Sequence, residues 1–142
     1  MPMTPDGLTV LVVEDAEPLR KMIVAMLLDG GYAIVEAPDG EEALRVIEGE
    51  RVGIDLVLTD VIMPRMNGTE LATRLWQIRP GMPVLFMSGY SENPLTEGVR
   101  NGACFLRKPF TSQGLIERVR HAIAGTANHA ARNGNGVVSG AD

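Results

Sequence analysis

Short apolar runs alternate along this chain with segments of helical periodicity, and this alternation most constrains the fold. The runs are four to six residues long and rich in valine, leucine and isoleucine, which is typical of buried β-strands. Between them, apolar residues recur three and four positions apart, which predicts amphipathic helices. Five strand–helix repeats predict a parallel sheet with helices on both faces. The expected strands are residues 8–13, 33–36, 56–60, 84–87 and 103–106.

The predicted helices have clear end signals. Gly30 and Gly31 are expected to end the first helix, and Asp39 is expected to cap the second. Residues 68–77 predict the third helix and residues 112–124 predict the last one. The core side of the third helix is expected to carry Leu71, Leu75 and Ile78.

Polar side chains stand where four of the predicted strands end. Glu14 and Asp15 follow the first run, Asp60 ends the third, Ser88 follows the fourth and Lys108 follows the fifth. Ligand sites in open α/β sheets lie at the carboxyl ends of strands, so we expect these side chains to converge. Clustered carboxylates repel each other unless a hard divalent cation such as Mg²⁺ lies among them. A hydroxyl and an ammonium beside them suit the oxygens of a phosphoryl group.

Each of these residues also has an ordinary structural explanation when taken alone. Asp60 would cap a turn, Glu14 and Asp15 would cap the next helix, Ser88 would form a turn and Lys108 would be a solvated charge. All of them stand at strand ends, however, in one predicted sheet. This combination favours a phosphoryl site over separate structural roles.

The combination resembles the receiver domain of two-component response regulators. The resemblance covers residues 8–124, and it implies a flavodoxin-like (βα)5 doubly wound sheet with strand order 2-1-3-4-5. The receiver domain is therefore expected at 8–124, after an N-terminal extension (1–7). Residues 125–142 are rich in glycine, asparagine and alanine without an apolar period and are expected to form a flexible tail. The matching elements are Glu14-Asp15, Asp60 with the stretch D-V-I-M-P-R-M-N-G, Ser88, Phe105 and Lys108-Pro109.

The resemblance implies a Mg²⁺ site around a phosphoacceptor. Asp60 is the residue that would receive the phosphoryl group. Asp15 would bind the metal directly, and Glu14 would bind it directly or through water. Asp60 itself and the backbone carbonyl of Ile62 would complete the protein ligands.

The resemblance also implies a switch and partners. Ser88 and Lys108 would hold phosphoryl oxygens, and Phe105 occupies the position of the switch aromatic. The phosphoryl donor would be a sensor histidine kinase or a histidine phosphotransfer protein. Partner specificity is expected on and near the first helix, at Glu17, Leu19, Arg20, Met22 and Ile23.

Three readings within signalling stay open. The chain is a stand-alone receiver, the receiver end of a hybrid histidine kinase, or a degenerate receiver that docks without phosphate. Met1 favours the first reading. The phrase F-M-S-G-Y at 86–90 and the weak helical signal over 89–102, interrupted by Pro94 and Gly98, are similar to hybrid-kinase receivers.

The residues two positions beyond Asp60 and Ser88 give a hypothesis about phosphoryl lifetime. These residues are Ile62 and Tyr90, and both side chains are bulky. We expect them to flank the path of the water that hydrolyses the acyl phosphate.

Other classes of protein fit the sequence less well. A haloacid-dehalogenase phosphatase needs a second aspartate two residues after its nucleophile, where this chain has Ile62. No glycine-rich nucleotide loop is present, and Glu14 and Asp15 would repel a flavin phosphate. His121 and His129 lack the surroundings of a phosphotransfer histidine and are expected to face solvent. The chain is therefore not expected to be an enzyme beyond slow self-phosphorylation and self-dephosphorylation.

Composition points to an ordinary globular domain. The 142 residues are 45% hydrophobic and 22% charged, and the net charge of −5 argues against a general nucleic-acid surface. Cys104 is the single cysteine, which fits a reducing cytoplasm. No apolar run approaches the ~20 residues of a membrane span, and residues 1–7 lack signal-peptide features. We expect a cytoplasmic monomer or weak dimer without membrane contact.

Overall fold

The computed structural model describes residues 7–49, 53–89 and 104–133, with side chains described as far as residue 125. Strands and helices alternate over these residues as the sequence predicts. In chain order the elements are β1 (Thr9–Val13), α1 (Glu17–Asp29), β2 (Ala33–Ala37), α2 (Gly40–Gly49), β3 (Leu56–Asp60), α3 (Gly68–Ile78), β4 (Val84–Ser88), β5 (Cys104–Arg107) and α4 (Ser112–Asn133).

The five strands form one parallel sheet in the order β2-β1-β3-β4-β5, which confirms the expected flavodoxin-like arrangement. Every residue of β1, β3 and β4 is buried, because helices cover both faces of the sheet. The register pairs Val13 of β1 with Thr59 of β3, and Ser88 of β4 with Arg107 of β5. The carboxyl ends of these strands therefore meet at one edge of the sheet.

Two hydrophobic cores hold the helices against the sheet. On one face, α1 and α4 pack through Ile23, Leu27, Leu115 and Val119. Each fully buried side chain of this size contributes about 1.5–3 kcal/mol through the hydrophobic effect. On the other face, α2 and α3 pack through Ala43, Ile47, Leu71, Ala72 and Leu75.

The end of α1 and the starts of α2 and α3 lie where the sequence signals predict them. Gly31 follows α1 with φ of 95°, a conformation that glycine adopts without strain. The Asp39 carboxylate accepts the backbone N–H of Glu42 at 2.8 Å and caps α2. Asn67 and Glu70 form a capping box at the start of α3, with a 2.9 Å bond from the Glu70 N–H to the Asn67 side chain. This box fixes the point where the chain leaves the loop after β3.

Two sequence expectations differ from the structure. The last helix continues to Asn133 instead of ending at Ala124, so the first part of the predicted flexible tail is helical. Alanines at positions 127, 130 and 131 favour this continuation, since alanine has the highest helix propensity. Ile78 is 37% exposed and does not join the core, because it is the last residue of α3 and Ala72 completes the buried stripe instead.

Other expectations have no counterpart in the described residues. The segment 90–103, with its predicted weak helix, and residues 134–142 of the tail lie outside them, as does the side chain of His129. His121 is exposed, as expected. None of the helices over the described residues has the length and hydropathy needed to cross a membrane.

Candidate functional site

Three carboxylates meet at the carboxyl edge of the sheet. One oxygen from each of Glu14, Asp15 and Asp60 lies within 4.8 Å of the other two. Glu14 and Asp15 follow β1, and Asp60 is the last residue of the neighbouring β3. The parallel register places these residues together, so the predicted convergence is observed. Oxygen donors at this spacing suit a hard divalent cation.

Asp60 is buried and paired with a lysine from across the sheet. It is 5% exposed, and the Lys108 ammonium donates to both of its carboxylate oxygens at 3.1 Å. The backbone N–H of Lys108 donates to the carbonyl of Ser88 at 2.9 Å and extends the β4–β5 ladder beyond its last strand residue. This backbone bond helps hold Lys108 in place, so its ammonium faces Asp60 across the width of β4.

Glu14 has an unsatisfied oxygen aimed at the same place. The residue is 2% exposed, its Oε2 accepts the backbone N–H of Ala16 at 3.1 Å, and its Oε1 has no hydrogen-bond partner among the described residues. Oε1 lies 4.0 Å from the Lys108 ammonium. The pKa of Glu14 is raised to about 7, mainly by burial and also by the charge of Asp60, against the lowering effects of the Ala16 N–H and of Lys108. A buried orphan acceptor beside two carboxylates is the arrangement that a cation would satisfy.

The pKa of Glu14 predicts how stability depends on pH in the metal-free protein. Its usual value of 4.5 is raised to about 7 on folding, so the native state binds more protons than the unfolded state between these values. Glu14 therefore lowers the free energy of unfolding as pH rises from about 4.5 to 7, by about 3 kcal/mol in all. The Glu14→Gln variant lacks this titration, so its stability should gain about 3 kcal/mol relative to the native chain over that range.

Urea unfolding in EDTA at pH 4.5 and pH 8 measures this change. Glu41 lies exposed on α2, so Glu41→Gln is the matched control and should follow the native chain at both pH values. Parallel stability curves for Glu14→Gln and the native chain would contradict the assignment.

The backbone around Asp60 tolerates only glycine at position 68. The Gly68 N–H donates to the carbonyl of Val61 at 2.7 Å, and a Cβ at Gly68 would collide with the carbonyl oxygen of Asp60. The Val61 N–H in turn donates to the carbonyl of Met87 on β4 at 3.0 Å. The first turn of α3 therefore packs directly against the backbone of Asp60.

The other predicted residues that the structure describes lie on β4, on β5 or directly after β3. Ser88 is 3% exposed as the last residue of β4. Phe105 is half-buried and stacks on Phe86, its direct partner in the register, with ring centroids 5.5 Å apart and 24° between the planes. Ile62 presents a side chain that is 54% exposed. The metal role of the Ile62 carbonyl stays a prediction, and Tyr90 lies outside the described residues.

One contact at this site was missed from the sequence. Arg20 is expected there to be a specificity residue, but its side chain is 12% exposed and donates to the backbone carbonyl of Glu14 at 2.8 Å. The only signal in the sequence is a guanidinium in the helix that follows the acidic pair. Elsewhere near this edge, the Arg65 guanidinium, after β3, forms an ion pair with the Asp39 carboxylate, after β2, at 2.9 Å.

A protein family and several known proteins have sequences similar to this chain. The family described as the response regulator receiver domain matches residues 10–120. The sensor kinase CckA of Brucella abortus (strain 2308) is 36% identical over 117 residues, which are 81% of this chain and 12% of that kinase. The response regulator receiver protein CpdR of the same organism is 32% identical over 117 residues, which are 80% of this chain and 95% of CpdR.

Solved structures agree with these matches. The receiver domain of the hybrid histidine kinase CckA has a TM-score of 0.69 and 36% identity, and the match covers 81% of this chain and 98% of that domain. The receiver protein from Sinorhizobium medicae WSM419 has a TM-score of 0.78 and 25% identity, with 87% and 99% covered. The chain spans 12% of the kinase CckA and 26% of the transcriptional regulator GlrR of Escherichia coli (strain K12). With the family match spanning most of its length and the acidic edge in place, this chain belongs to the response regulator receiver domain family.

Proposed function

We propose that this receiver is the phosphoacceptor of a two-component phosphorelay and that Asp60 takes the phosphoryl group from a phosphohistidine. The observation that carries the proposal is the buried Asp60 carboxylate, held at 3.1 Å by Lys108 and flanked by the carboxylates of Glu14 and Asp15. Burying a charge costs free energy unless the charge is paired or binds a metal. Asp60 is paired with the Lys108 ammonium, which is also suited to bind phosphoryl oxygens.

The chemistry is a direct displacement at phosphorus. One Asp60 oxygen attacks, the bond from phosphorus to the donor imidazole nitrogen breaks, and its electron pair stays on that nitrogen. The product is an acyl phosphate on Asp60. Once one carboxylate oxygen is bonded to phosphorus, the Lys108 ammonium has a new set of acceptors in the phosphoryl oxygens.

Mg²⁺ is the cofactor that this edge would hold, through Glu14, Asp15 and Asp60, with the Ile62 carbonyl as a further candidate. When bound, it would neutralise negative charge on the group being transferred. The orphan oxygen of Glu14 and the short distances between carboxylates support the fit.

Phosphorylation would shift a conformational equilibrium. It adds about −1.5 to −2 charge and new acceptor oxygens beside Ser88, whose hydroxyl would turn toward them. Phe105 on β5 packs on Phe86, which lies two residues before Ser88 on β4, so a movement of the end of β4 would change the packing of that aromatic pair. The phosphoryl group favours whichever state binds it better.

We extend the proposal to partners and setting. The donor is a sensor histidine kinase or a histidine phosphotransfer protein, and the free Cys104 fits a cytoplasmic location. The chain is not an enzyme for small substrates and only hydrolyses its own acyl phosphate slowly. A receiver within a hybrid kinase is the second candidate, favoured by the likeness to the CckA receiver domain. Both candidates have the same chemistry.

Beryllofluoride titration of the native chain, followed by amide NMR with and without Mg²⁺, tests the proposal. We expect Mg²⁺-dependent shifts centred on Asp60, Ser88 and Lys108, because beryllofluoride mimics a phosphoryl group on a carboxylate. A folded chain whose amides do not respond would instead be a docking module that works without phosphate.

Ile62 is expected to limit the rate at which water reaches the acyl phosphate. Its side chain is 54% exposed two residues after Asp60. Ile62→Asn should shorten the phosphoryl half-life about tenfold, which corresponds to about 1.4 kcal/mol in the barrier. Decay is followed by intact mass after removal of acetyl phosphate. Met22, which is 46% exposed on α1, provides the control Met22→Asn, which should leave the half-life unchanged. Equal half-lives in all three chains would disprove the role of Ile62.

A further inference from the structure

The backbone of Glu14 is held on both sides by contacts from two neighbouring elements. The N–H of Glu14 donates to the carbonyl of Ala37 on β2 at 3.2 Å, and its carbonyl accepts from the Arg20 guanidinium on α1 at 2.8 Å. Its side-chain Oε2 accepts the N–H of Ala16 at 3.1 Å. The carbonyl that Arg20 holds belongs to the peptide between the two acidic residues. The orientation of that peptide therefore sets the relative directions of both carboxylates.

Asp15 depends most on this peptide. Its side chain is exposed, whereas Glu14 is enclosed by the core and has its own bond to Ala16. The direction in which the Asp15 carboxylate leaves the chain is thus decided mainly by the backbone. A free rotation of the peptide would move Asp15 away from Asp60 without disturbing the hydrophobic core.

Arg20 is itself fixed in place. Its Nε donates to the Glu36 carboxylate on β2 at 3.0 Å, and its side chain is only 12% exposed. Lys21, which is 56% exposed, donates to both oxygens of Glu36 at 3.1 Å from the solvent side. Arg20 and Lys21 thus share one carboxylate, but Arg20 is the one that reaches the carbonyl of Glu14.

The planar guanidinium is suited to this double contact. It presents several donors in a fixed geometry, so it can bond a carboxylate and a carbonyl at once, whereas an ammonium group on a flexible stem is less able to fix both. Glu36 balances the charge of Arg20, so Arg20 acts on the three carboxylates mainly by orienting the Glu14–Asp15 peptide and less by its charge.

We propose that Arg20 is a positioning residue for divalent-cation binding, because its guanidinium locks the Glu14–Asp15 peptide with both carboxylates turned toward Asp60. The proposal deepens the proposed function and rests on it for the identity of the cation as Mg²⁺. It differs from a partner-specificity role, since the contacts of Arg20 are made within the receiver itself.

Mg²⁺ titration of the full chain without any phosphodonor, read by amide NMR, tests the proposal. Arg20→Met removes the donors and keeps an apolar stem, and the Kd for Mg²⁺ should rise about tenfold, as is common when an outer partner of a metal ligand is lost. Arg20→Lys should raise it by at least about threefold. Lys21→Met is the matched control, since it loses the shared Glu36 contact alone, and its Kd should stay within about twofold of the native value.

A second readout separates positioning from general stability. At saturating Mg²⁺, the limiting rate of phosphorylation by acetyl phosphate should change far less in Arg20→Met than the Mg²⁺ affinity does. A folded Arg20→Met with the native Kd would overturn the proposal, and so would a Lys21→Met chain that is weakened equally. If Arg20→Met does not fold, a native Kd in Arg20→Lys overturns it.

Failure of this inference and failure of the proposed function give different results. If the native chain binds Mg²⁺ but never forms a phosphoryl adduct, the phosphorelay proposal fails while the effect of Arg20 on the cation remains measurable. If the native chain forms the adduct and Arg20→Met binds Mg²⁺ normally, only the role of Arg20 is lost.

Discussion

Replacing Asp60 with asparagine is expected to abolish the Mg²⁺-dependent adduct that acetyl phosphate forms with the native chain. The amide lacks the anionic oxygen that attacks phosphorus, so the rate should fall by more than about a thousandfold. The asparagine side chain has nearly the same shape as that of aspartate, so the variant should keep the native fold. The Lys108 ammonium, which donates to both Asp60 oxygens at 3.1 Å, loses a charged partner but still lies 4.0 Å from Glu14.

Intact mass after incubation with acetyl phosphate measures this effect. Asp55→Asn is the matched control, because Asp55 directly precedes β3 and its carboxylate accepts the backbone N–H of Thr9 at 2.8 Å, at the other end of the strand from Asp60. The control should form the adduct like the native chain. Undiminished adduct in Asp60→Asn would show that another residue accepts the phosphoryl group.

Lys108→Gln is expected to slow phosphorylation by about a hundredfold at saturating Mg²⁺. Lys108 supplies a cation already aimed at the reacting carboxylate, and the loss of one preorganised donor of this kind typically costs 10²- to 10³-fold in rate. The same change removes the ammonium that lies 3.1 Å from the buried Asp60 and 4.0 Å from Glu14. Metal-free stability at pH 8 should therefore fall as well, because carboxylate repulsion is then uncompensated.

Lys108→Arg separates the charge from the geometry. It keeps the positive charge, so metal-free stability should recover, but its wider head group should restore only part of the rate. Single-turnover kinetics with acetyl phosphate give the rate, and urea unfolding gives the stability. A Lys108→Gln chain that is phosphorylated at the native rate would exclude Lys108 from the transfer step.

The structure shows how far local patterns reach in this chain. The strands and helices follow from residues close in sequence, such as the Asp39 cap of α2 and the capping box of Asn67. Two predictions were wrong. Ile78 was expected in the core but is exposed at the end of α3, and the last helix was expected to end at Ala124 but continues to Asn133. Strand order came from the resemblance to a family, because periodicity does not encode which strands are neighbours.

For the candidate site, too, the sequence predicted some features and only the structure showed others. The residue types and their positions at strand ends could be predicted from the sequence, because carboxylates, a hydroxyl and a lysine have known chemical properties wherever they lie. The contacts that make them a site join residues distant in sequence, such as the bond from Lys108 to Asp60 across 48 positions. The orphan oxygen of Glu14 and its raised pKa exist only because packing excludes water there.

The sequence by itself determined the alternation of strands and helices and the identities of the acidic, hydroxyl and basic residues that end the strands. Only the tertiary structure decided that Arg20 turns inward to the carbonyl of Glu14 and that Gly68 packs on the backbone of Asp60. The physical reason is that periodicity and caps arise from local contacts, whereas these distances depend on how separate elements pack around a shared core.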